Sequence, residues 1–374
     1  MLISNFSDFK LLPSLLETLK EKGLDKPTEI QNRTIPLLLS KKSIVGVAET
    51  GSGKTLSFVL PILHQLKTME NEGRKNTENG RPWAAVIVPT RELGEQVSKV
   101  FKPFTHTTRL RVRTLLGGTA LDVAKKNISG PFEVLVATPG RLVQLMKREL
   151  INLNDVQLLV FDEADQMLDQ GFLNDAGEIV ENCSSGCQLA LFSATVSPTI
   201  QELINKLFEN AETIRSGGSH KVVPTLTTIN SKVVDGKRFP LLQNILAKPT
   251  KGGTLIFTNT REQCDNLFAL LEKHKYKCVI YRGEMDKVKR RANLKSFING
   301  EIQYLISTDL ASRGLDVSHV NRVINYHLPK DMDNYIHRVG RTARAGRRGL
   351  VVNFITERDE HIVKKIETLK APKV

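Results

Sequence analysis

Residues 48–55 read Ala-Glu-Thr-Gly-Ser-Gly-Lys-Thr and follow the apolar run Ser43-Ile44-Val45-Gly46-Val47. A short apolar run that breaks at a glycine turn reads as a buried strand. Gly51 and Gly53 let the backbone close around phosphate oxygens, and Lys54 opens a helix whose positive end faces the anion. Thr50, Gly51, Ser52, Gly53, Lys54 and Thr55 are therefore the candidate nucleotide ligands. Lys54 is expected on the β- and γ-phosphates of a triphosphate, and Thr55 supplies a hydroxyl for Mg²⁺. Ala48 stands where the phosphate-loop pattern has its first glycine. About a hundred residues on, the run Leu158-Leu159-Val160-Phe161 ends in Asp162-Glu163-Ala164-Asp165, and Asp162 at that strand end is expected to complete the metal site through water.

A chain of 374 residues exceeds one ordinary core, so two domains are expected, and 40% hydrophobic content supports both. The net charge of +14 is spread along the chain, which favours a basic surface and a polyanionic partner, nucleic acid above all. Cys183, Cys187, Cys264 and Cys278 have neither C-x-x-C spacing nor histidines at ligand spacing, so they read as thiols and not as zinc ligands or disulfides. No signal-peptide pattern opens the chain, and no run approaches bilayer length. A reducing, cytoplasmic setting without membrane partners is the expectation.

Short apolar runs alternate with helical patterns, the signature of parallel sheets covered on both faces. Strands are expected at 43–48, 84–88, 111–116, 133–137, 156–161 and 188–192, then at 226–234, 253–258, 277–281, 302–307, 321–326 and 349–354. Between the two sets, Arg215-Ser216-Gly217-Gly218-Ser219-His220 suits a linker. The fold class is α/β, with an ATP-binding domain over 1–213, a linker over 214–224 and a second domain over 225–374. Asn71 to Arg81 reads as a solvated loop whose charges do nothing specific, and Glu360 to Ile366 as a last helix with no appended domain.

The second half lacks a phosphate loop but carries His337-Arg338-Val339-Gly340-Arg341-Thr342-Ala343-Arg344. Three-residue spacing on a helical turn sends Arg338, Arg341 and Arg344 roughly the same way. Facing a triphosphate across an interdomain cleft, such arginines would absorb the charge of phosphoryl transfer. Ser307 to Asp316 follows a strand directly, where ligands meet open α/β sheets. There Asp316 could accept a ribose hydroxyl, and Thr308 with Asp309 could meet nucleic-acid backbone.

Taken in order, these segments resemble the DEAD-box RNA helicases over nearly the whole chain. Phe6 and Gly23 to Gln31 resemble the adenine-reading Q motif, in which the Gln31 amide would contact the base edge and Phe6 would pack beside it. Pro89-Thr90-Arg91, Gly117-Gly118 and Thr138-Pro139-Gly140-Arg141 look like first-domain RNA contacts. Ser193-Ala194-Thr195 is similar to the motif coupling hydrolysis to strand separation, a role the resemblance extends to Asp165 and His337. Thr258, Asn259, Gly283 and Arg290 fall on second-domain RNA contacts beside Thr308 and Asp309. Leu24, Arg282, Lys287, Ser312 and Ala343 depart from the usual residues of the family.

The resemblance implies two tandem RecA-like domains, ATP and Mg²⁺ in the cleft, and single-stranded or short duplex RNA bound across both. It further implies catalysis by Lys54, Glu163, Arg341 and Arg344, with Glu163 orienting or deprotonating the attacking water. The expected activity is RNA-stimulated ATP hydrolysis with local unwinding of short duplexes or remodelling of ribonucleoproteins, carried out by a monomer. Two rivals share the same residues: an ATP-gated RNA clamp that serves assembly, and a DNA-directed motor.

Overall fold

The strands among the described residues all pair in parallel, and the central ones are apolar toward both faces. The computed structural model describes residues 4–49, 51–216, 226–309, 317, 319–342 and 348–370. Two compact units, Met1–Ser219 and His220–Val374, divide it.

In the first unit, β1 (Ile44–Val47), β2 (Ala84–Ile87), β3 (Val112–Leu115), β4 (Val134–Ala137), β5 (Leu158–Phe161), β6 (Gln188–Ser193) and β7 (Glu212–Arg215) form one sheet in the order β3-β4-β2-β5-β6-β1-β7. Successive side chains of a strand point to opposite faces. Ala84 and Val86 accordingly join one buried cluster while Ala85 and Ile87 join the other. Each large aliphatic or aromatic side chain fully buried in these layers stabilises the unit by about 1.5–3 kcal/mol.

The second unit repeats the plan with β8 (Leu226–Lys232), β9 (Gly253–Thr258), β10 (Cys278–Tyr281), β11 (Tyr304–Thr308), β12 (Val320–Asn325) and β13 (Gly349–Ile355), ordered β10-β11-β9-β12-β13-β8. Leu255, Phe257 and Val323 face one cluster, and Ile256 and Ile324 the other. Both sheets are the expected tandem parallel α/β plan.

Three expectations need correction. No strand was expected at Glu212–Arg215, yet β7 pairs with β1, setting Ile214 against Gly46 and Arg215 against Val47. Its only large apolar residue is Ile214, 3% exposed, because an edge strand covers the core with one side chain and leaves the others to water. The sheet therefore runs two residues into the segment read as a linker, and Ser216 N still donates to Val47 O at 3.0 Å. The remainder of that segment, from Gly217 to Pro224, lies outside the described residues.

The loop after the helix Lys54–Asn71 is also not simply solvated. Asn76 is buried, and its Nδ2 donates to Phe132 O at 2.7 Å and Arg81 O at 2.8 Å, so the amide pins the loop to the chain entering β4. Arg81 pairs with Glu78 at 2.7 Å and Asp155 at 3.5 Å. Of the cysteines, Cys264 and Cys278 are buried, Cys183 and Cys187 are half-buried, and all four are free. Among the described residues, no helix is long and apolar enough to cross a membrane.

Gly46 has a steric reason to be glycine, since a Cβ there would lie 2.8 Å from the Phe192 ring on β6. The ring is itself fully buried and cannot step aside. Gly46→Val should therefore destabilise the first unit by about 1–3 kcal/mol through overpacking, measured as a lower midpoint in chemical denaturation of the full chain.

Candidate nucleotide and RNA sites

Parallel pairing places all strand ends of a sheet on one edge, and in the first sheet the order of strands sorts them. The ends of β5, β6 and β1 are neighbours, which gathers Asp162, Ser193 and Ala48. The ends of β3, β4 and β2 form the other half of the edge and carry Gly117, Thr138 and Pro89.

On the first half, Gly51 and Gly53 adopt φ of 87° and 94°, a left-handed backbone that favours glycine. A Cβ on Gly53 would also meet Gln31 Nε2 at 2.5 Å. Lys54 is 6% exposed, and its Nζ donates to Ala48 O at 2.7 Å, so the ammonium is folded back over the loop. Ser52 Oγ is buried with no hydrogen-bond partner among the described residues.

Gln31, expected at the base edge, lies against the phosphate loop. Its Oε1 accepts from Thr28 N at 2.8 Å and its Nε2 donates to Gly53 O at 3.0 Å, so the amide caps its own helix and grips the phosphate loop. Phe6 is 4% exposed and packs edge-on against Phe9 at 5.9 Å, leaving little ring face for a base. Thr50, Asp316 and Arg344 lie outside the described residues.

Asp162, just past β5, is 2% exposed. Burial pushes its carboxyl up to about 7, against the pull of the Lys54 ammonium; Glu163 adds like-charge repulsion, and the Glu163 N–H on Oδ1 at 3.0 Å offsets part of it. Glu163 has φ of 50°, a conformation costing a non-glycine residue about 1–3 kcal/mol. It stands at the N-cap position of the short helix Ala164–Asp169, without a side-chain capping bond. Asp165 then reaches across to the end of β6. Its Oδ2 accepts from Ala194 N at 3.1 Å, Thr195 N at 3.1 Å and Thr195 Oγ1 at 3.3 Å, while Ser193 Oγ donates to Thr195 O at 2.8 Å. The coupling residues Asp165, Ser193 and Thr195 thus form one buried knot.

On the other half, Thr90 caps the helix Arg91–Thr108 by accepting from Leu93 N at 3.2 Å, and Arg91, half-exposed, pairs with Glu95 at 3.0 Å. Gly117 N donates to Thr138 Oγ1 at 2.9 Å, and Arg141 Nη2 donates to Thr119 O at 2.6 Å. These bonds join segments distant in sequence into one surface. Pro139 opens the helix Pro139–Met146, so two helix N-termini lie at this half-edge.

The second unit revises several expectations. Arg338 does not face outward, for it is 1% exposed and every N–H of its guanidinium is engaged. Nε and Nη2 grip both carboxylate oxygens of Asp309, the second at 2.7 Å; Nη2 also reaches Asn259 Oδ1 at 2.8 Å, and Nη1 reaches His327 O at 2.6 Å and Asn325 Oδ1 at 3.1 Å. The cation stacks 5.0 Å from the Phe257 ring centroid. Asn259 and Asp309, expected on RNA, therefore spend their side chains on Arg338, and Thr258 is fully buried with Oγ1 on Thr260 O at 3.3 Å.

Thr308 is buried, Gly283 O accepts from Arg282 Nη1 at 3.0 Å, and Arg290 stacks over Tyr281 at 4.6 Å while its Nη2 donates to Tyr281 OH at 3.0 Å. Arg341 is 1% exposed, with Nε on His337 O at 3.2 Å. His337 is itself buried. Behind Arg338, burial with Arg238 and Arg338 pushes His327 down to about 4 and keeps it neutral beside the cation. Asn325 was not singled out in the sequence, although an asparagine inside Val323-Ile324-Asn325 is a signal of an inward polar partner.

Two parallel α/β sheets in one chain, the first carrying a phosphate loop beside a buried acidic turn at its strand ends, define a nucleotide-using enzyme of two α/β units. Comparison with known proteins narrows this. The DEAD/DEAH box helicase family matches residues 28–203 and the helicase conserved C-terminal domain matches residues 237–346. The DEAD-box ATP-dependent RNA helicase RhpA of Helicobacter pylori is 36% identical over 94% of this chain and 70% of its own length. CshA of Bacillus subtilis is 34% identical over 97% of this chain and 72% of its own length. The structure of S. cerevisiae Dbp5 bound to RNA and ADP BeF3 superposes with a TM-score of 0.86 at 28% identity, covering 98% of this chain and 93% of that one. The chain belongs to the DEAD-box ATP-dependent RNA helicases, RNA-stimulated ATPases that unwind or remodel RNA.

The knot at Asp165 has a checkable energy. Asp165→Ala leaves the Ala194 and Thr195 amides buried without an acceptor, at about 1–3 kcal/mol for each unsatisfied group. Denaturant titration should show a loss of that order, with faster proteolysis near Ser193 to Thr195.

Proposed function

We propose that ATP at residues 51–55 and RNA at the strand-end loops are coupled, so that hydrolysis runs when both are engaged, and that closure of the two units accompanies it. The observation that carries this reading is the single edge of the first sheet. It holds the phosphate loop and acidic turn on one half and the Gly117–Thr138 surface on the other, with the Asp165 knot tying the acidic turn to the end of β6.

A divalent cation fits the donors present. Thr55 and Asp162 are hard oxygen ligands, and a buried carboxylate next to further acids favours a cation there. Such a small ligand set suits Mg²⁺, which takes its remaining oxygens from phosphates and water. Bound there, Mg²⁺ would neutralise charge on the phosphates.

In the proposed reaction Lys54 exchanges the Ala48 carbonyl for a phosphate oxygen, and the Ser52 hydroxyl gains its missing partner. Glu163 orients the attacking water and takes its proton as the water oxygen bonds to the γ-phosphorus and the bond to ADP breaks. Arg341 exchanges His337 O for the γ-phosphate and, with Arg344, stabilises the charge on the transferred phosphoryl. RNA is held by phosphate and sugar contacts from Arg91, Arg141, Gly283 and the backbone amides at Thr90, Gly118, Gly140 and Arg141. Sequence preference is then weak, and a bound strand that bends excludes its pairing partner, which opens short duplexes locally.

Glu163→Gln should bind ATP and RNA normally yet lose RNA-stimulated turnover by roughly two orders of magnitude or more. Wild-type RNA affinity should fall with salt at a log–log slope of about −3.5 if about five phosphates are neutralised. A turnover rate indifferent to RNA in a coupled ATPase assay would falsify the coupling.

The raised Asp162 carboxyl gives a second test, with its sign fixed by competition between proton and cation. Below about pH 7 the metal must displace a proton, so affinity for Mg²⁺-nucleotide should rise roughly tenfold from about pH 6 to about pH 8. Asp162→Asn should bind more weakly and keep only the nucleotide's own pH dependence, read by calorimetric titration.

A further inference from the structure

A row of asparagines crosses the second sheet at a single register level. Asn325 on β12 pairs with Asn353 on β13, which pairs with Asn230 on the edge strand β8. The same row continues through Phe257, Ser307 and Tyr281 on β9, β11 and β10. In-register partners share a face, so the amides lie side by side. Asn325 and Asn353 are fully buried.

Their hydrogen bonds all run one way. Arg338 Nη1 donates to Asn325 Oδ1 at 3.1 Å, and Asn325 Nδ2 donates to Asn353 Oδ1 at 2.8 Å. Asn353 Nδ2 in turn donates to Asn230 Oδ1 at 2.9 Å and to Tyr335 OH at 3.2 Å. Each amide accepts on the side of the cation and donates toward the sheet edge. A chain of this kind is polarised cooperatively by the charge at its head.

Amide orientation is the point at which this row acts. An asparagine can offer either its oxygen or its NH₂ to a neighbour. Asn325 keeps its oxygen on Arg338 because Asn353 Oδ1 receives its NH₂, and Asn353 is oriented by Asn230 and Tyr335 behind it. Arg338 in turn holds Asn259 and Asp309, the residues that follow β9 and β11 on the edge read as the RNA surface. Buried asparagines that only satisfied one another would affect stability and nothing else. This row instead ends on the guanidinium that fixes two strand-end loops.

We infer that Asn353 is a positioning residue for RNA-stimulated ATP hydrolysis, acting through Asn325 and Arg338 on the loops at Asn259 and Asp309. The inference rests on the RNA-coupled reading above. Asn353→Leu in the full chain keeps the volume and removes the relay. RNA-stimulated kcat should fall roughly tenfold, as expected for a modest displacement of a working group, and the RNA concentration for half-stimulation should rise. RNA-free ATPase should stay unchanged.

Asn353→Asp retains an oxygen toward Asn325 and can accept from Tyr335 OH, so it should restore most of the stimulation. If the leucine variant does not fold, Asn353→Ala compared with Asn353→Asp gives the same contrast. Equal losses with and without RNA, or no loss in a folded variant, overturn the inference while leaving the coupled function intact. A wild-type enzyme that ignores RNA overturns both.

Discussion

Because every strand in both sheets pairs in parallel, each return of the chain must cross a face as a helix, and all strands of a sheet end on one edge. Those ends are where backbone N–H groups, glycine turns and helix N-termini gather without a competing ladder. The order β3-β4-β2-β5-β6-β1-β7 then decides which loops become neighbours. It brings the phosphate loop, the acidic turn and Ser193 together, and it leaves three other loops to make a separate surface beside them.

At that edge the protein keeps charge out of water and directs it. Asp162 and Lys54 are both nearly inaccessible, and the ammonium offsets only part of what burial costs the carboxylate. In the second unit the same economy is internal: Arg338 is satisfied by Asp309, Asn259, Asn325 and a carbonyl, so its cation organises loops and has no N–H left for a phosphate. Arg341, three residues on, occupies a different environment, with its Nε on a carbonyl one helical turn back. Equal spacing in sequence did not give equal roles.

Much of the first site was legible in the chain. Gly51, Gly53 and Lys54 are dictated by local chemistry, since a tight phosphate turn needs positive φ and a helix start, and local rules act within a few residues. The strand runs were legible for the same reason, apart from β7, whose single apolar residue carries too little pattern. The inward turn of Asn259 and Asp309 was not legible, because both meet Arg338 on the helix Met332–Val339, dozens of residues away by sequence, and only the packed fold sets them beside it. Likewise Gln31 reads as a base contact in sequence, but the fold brings Gly53 within its reach.

By itself, then, the sequence determined the type of each element, the two-domain plan and the kinds of groups available to bind phosphate and cation. Those follow from periodicity and backbone sterics, which are properties of short stretches. Tertiary structure alone decided which polar side chains face ligand and which face one another. That choice depends on strand order and register, which bring Asp165 to Thr195, Gly117 to Thr138 and Arg338 to Asn325 across spans that no local pattern encodes. A buried donor must find whichever acceptor the packed sheet places beside it.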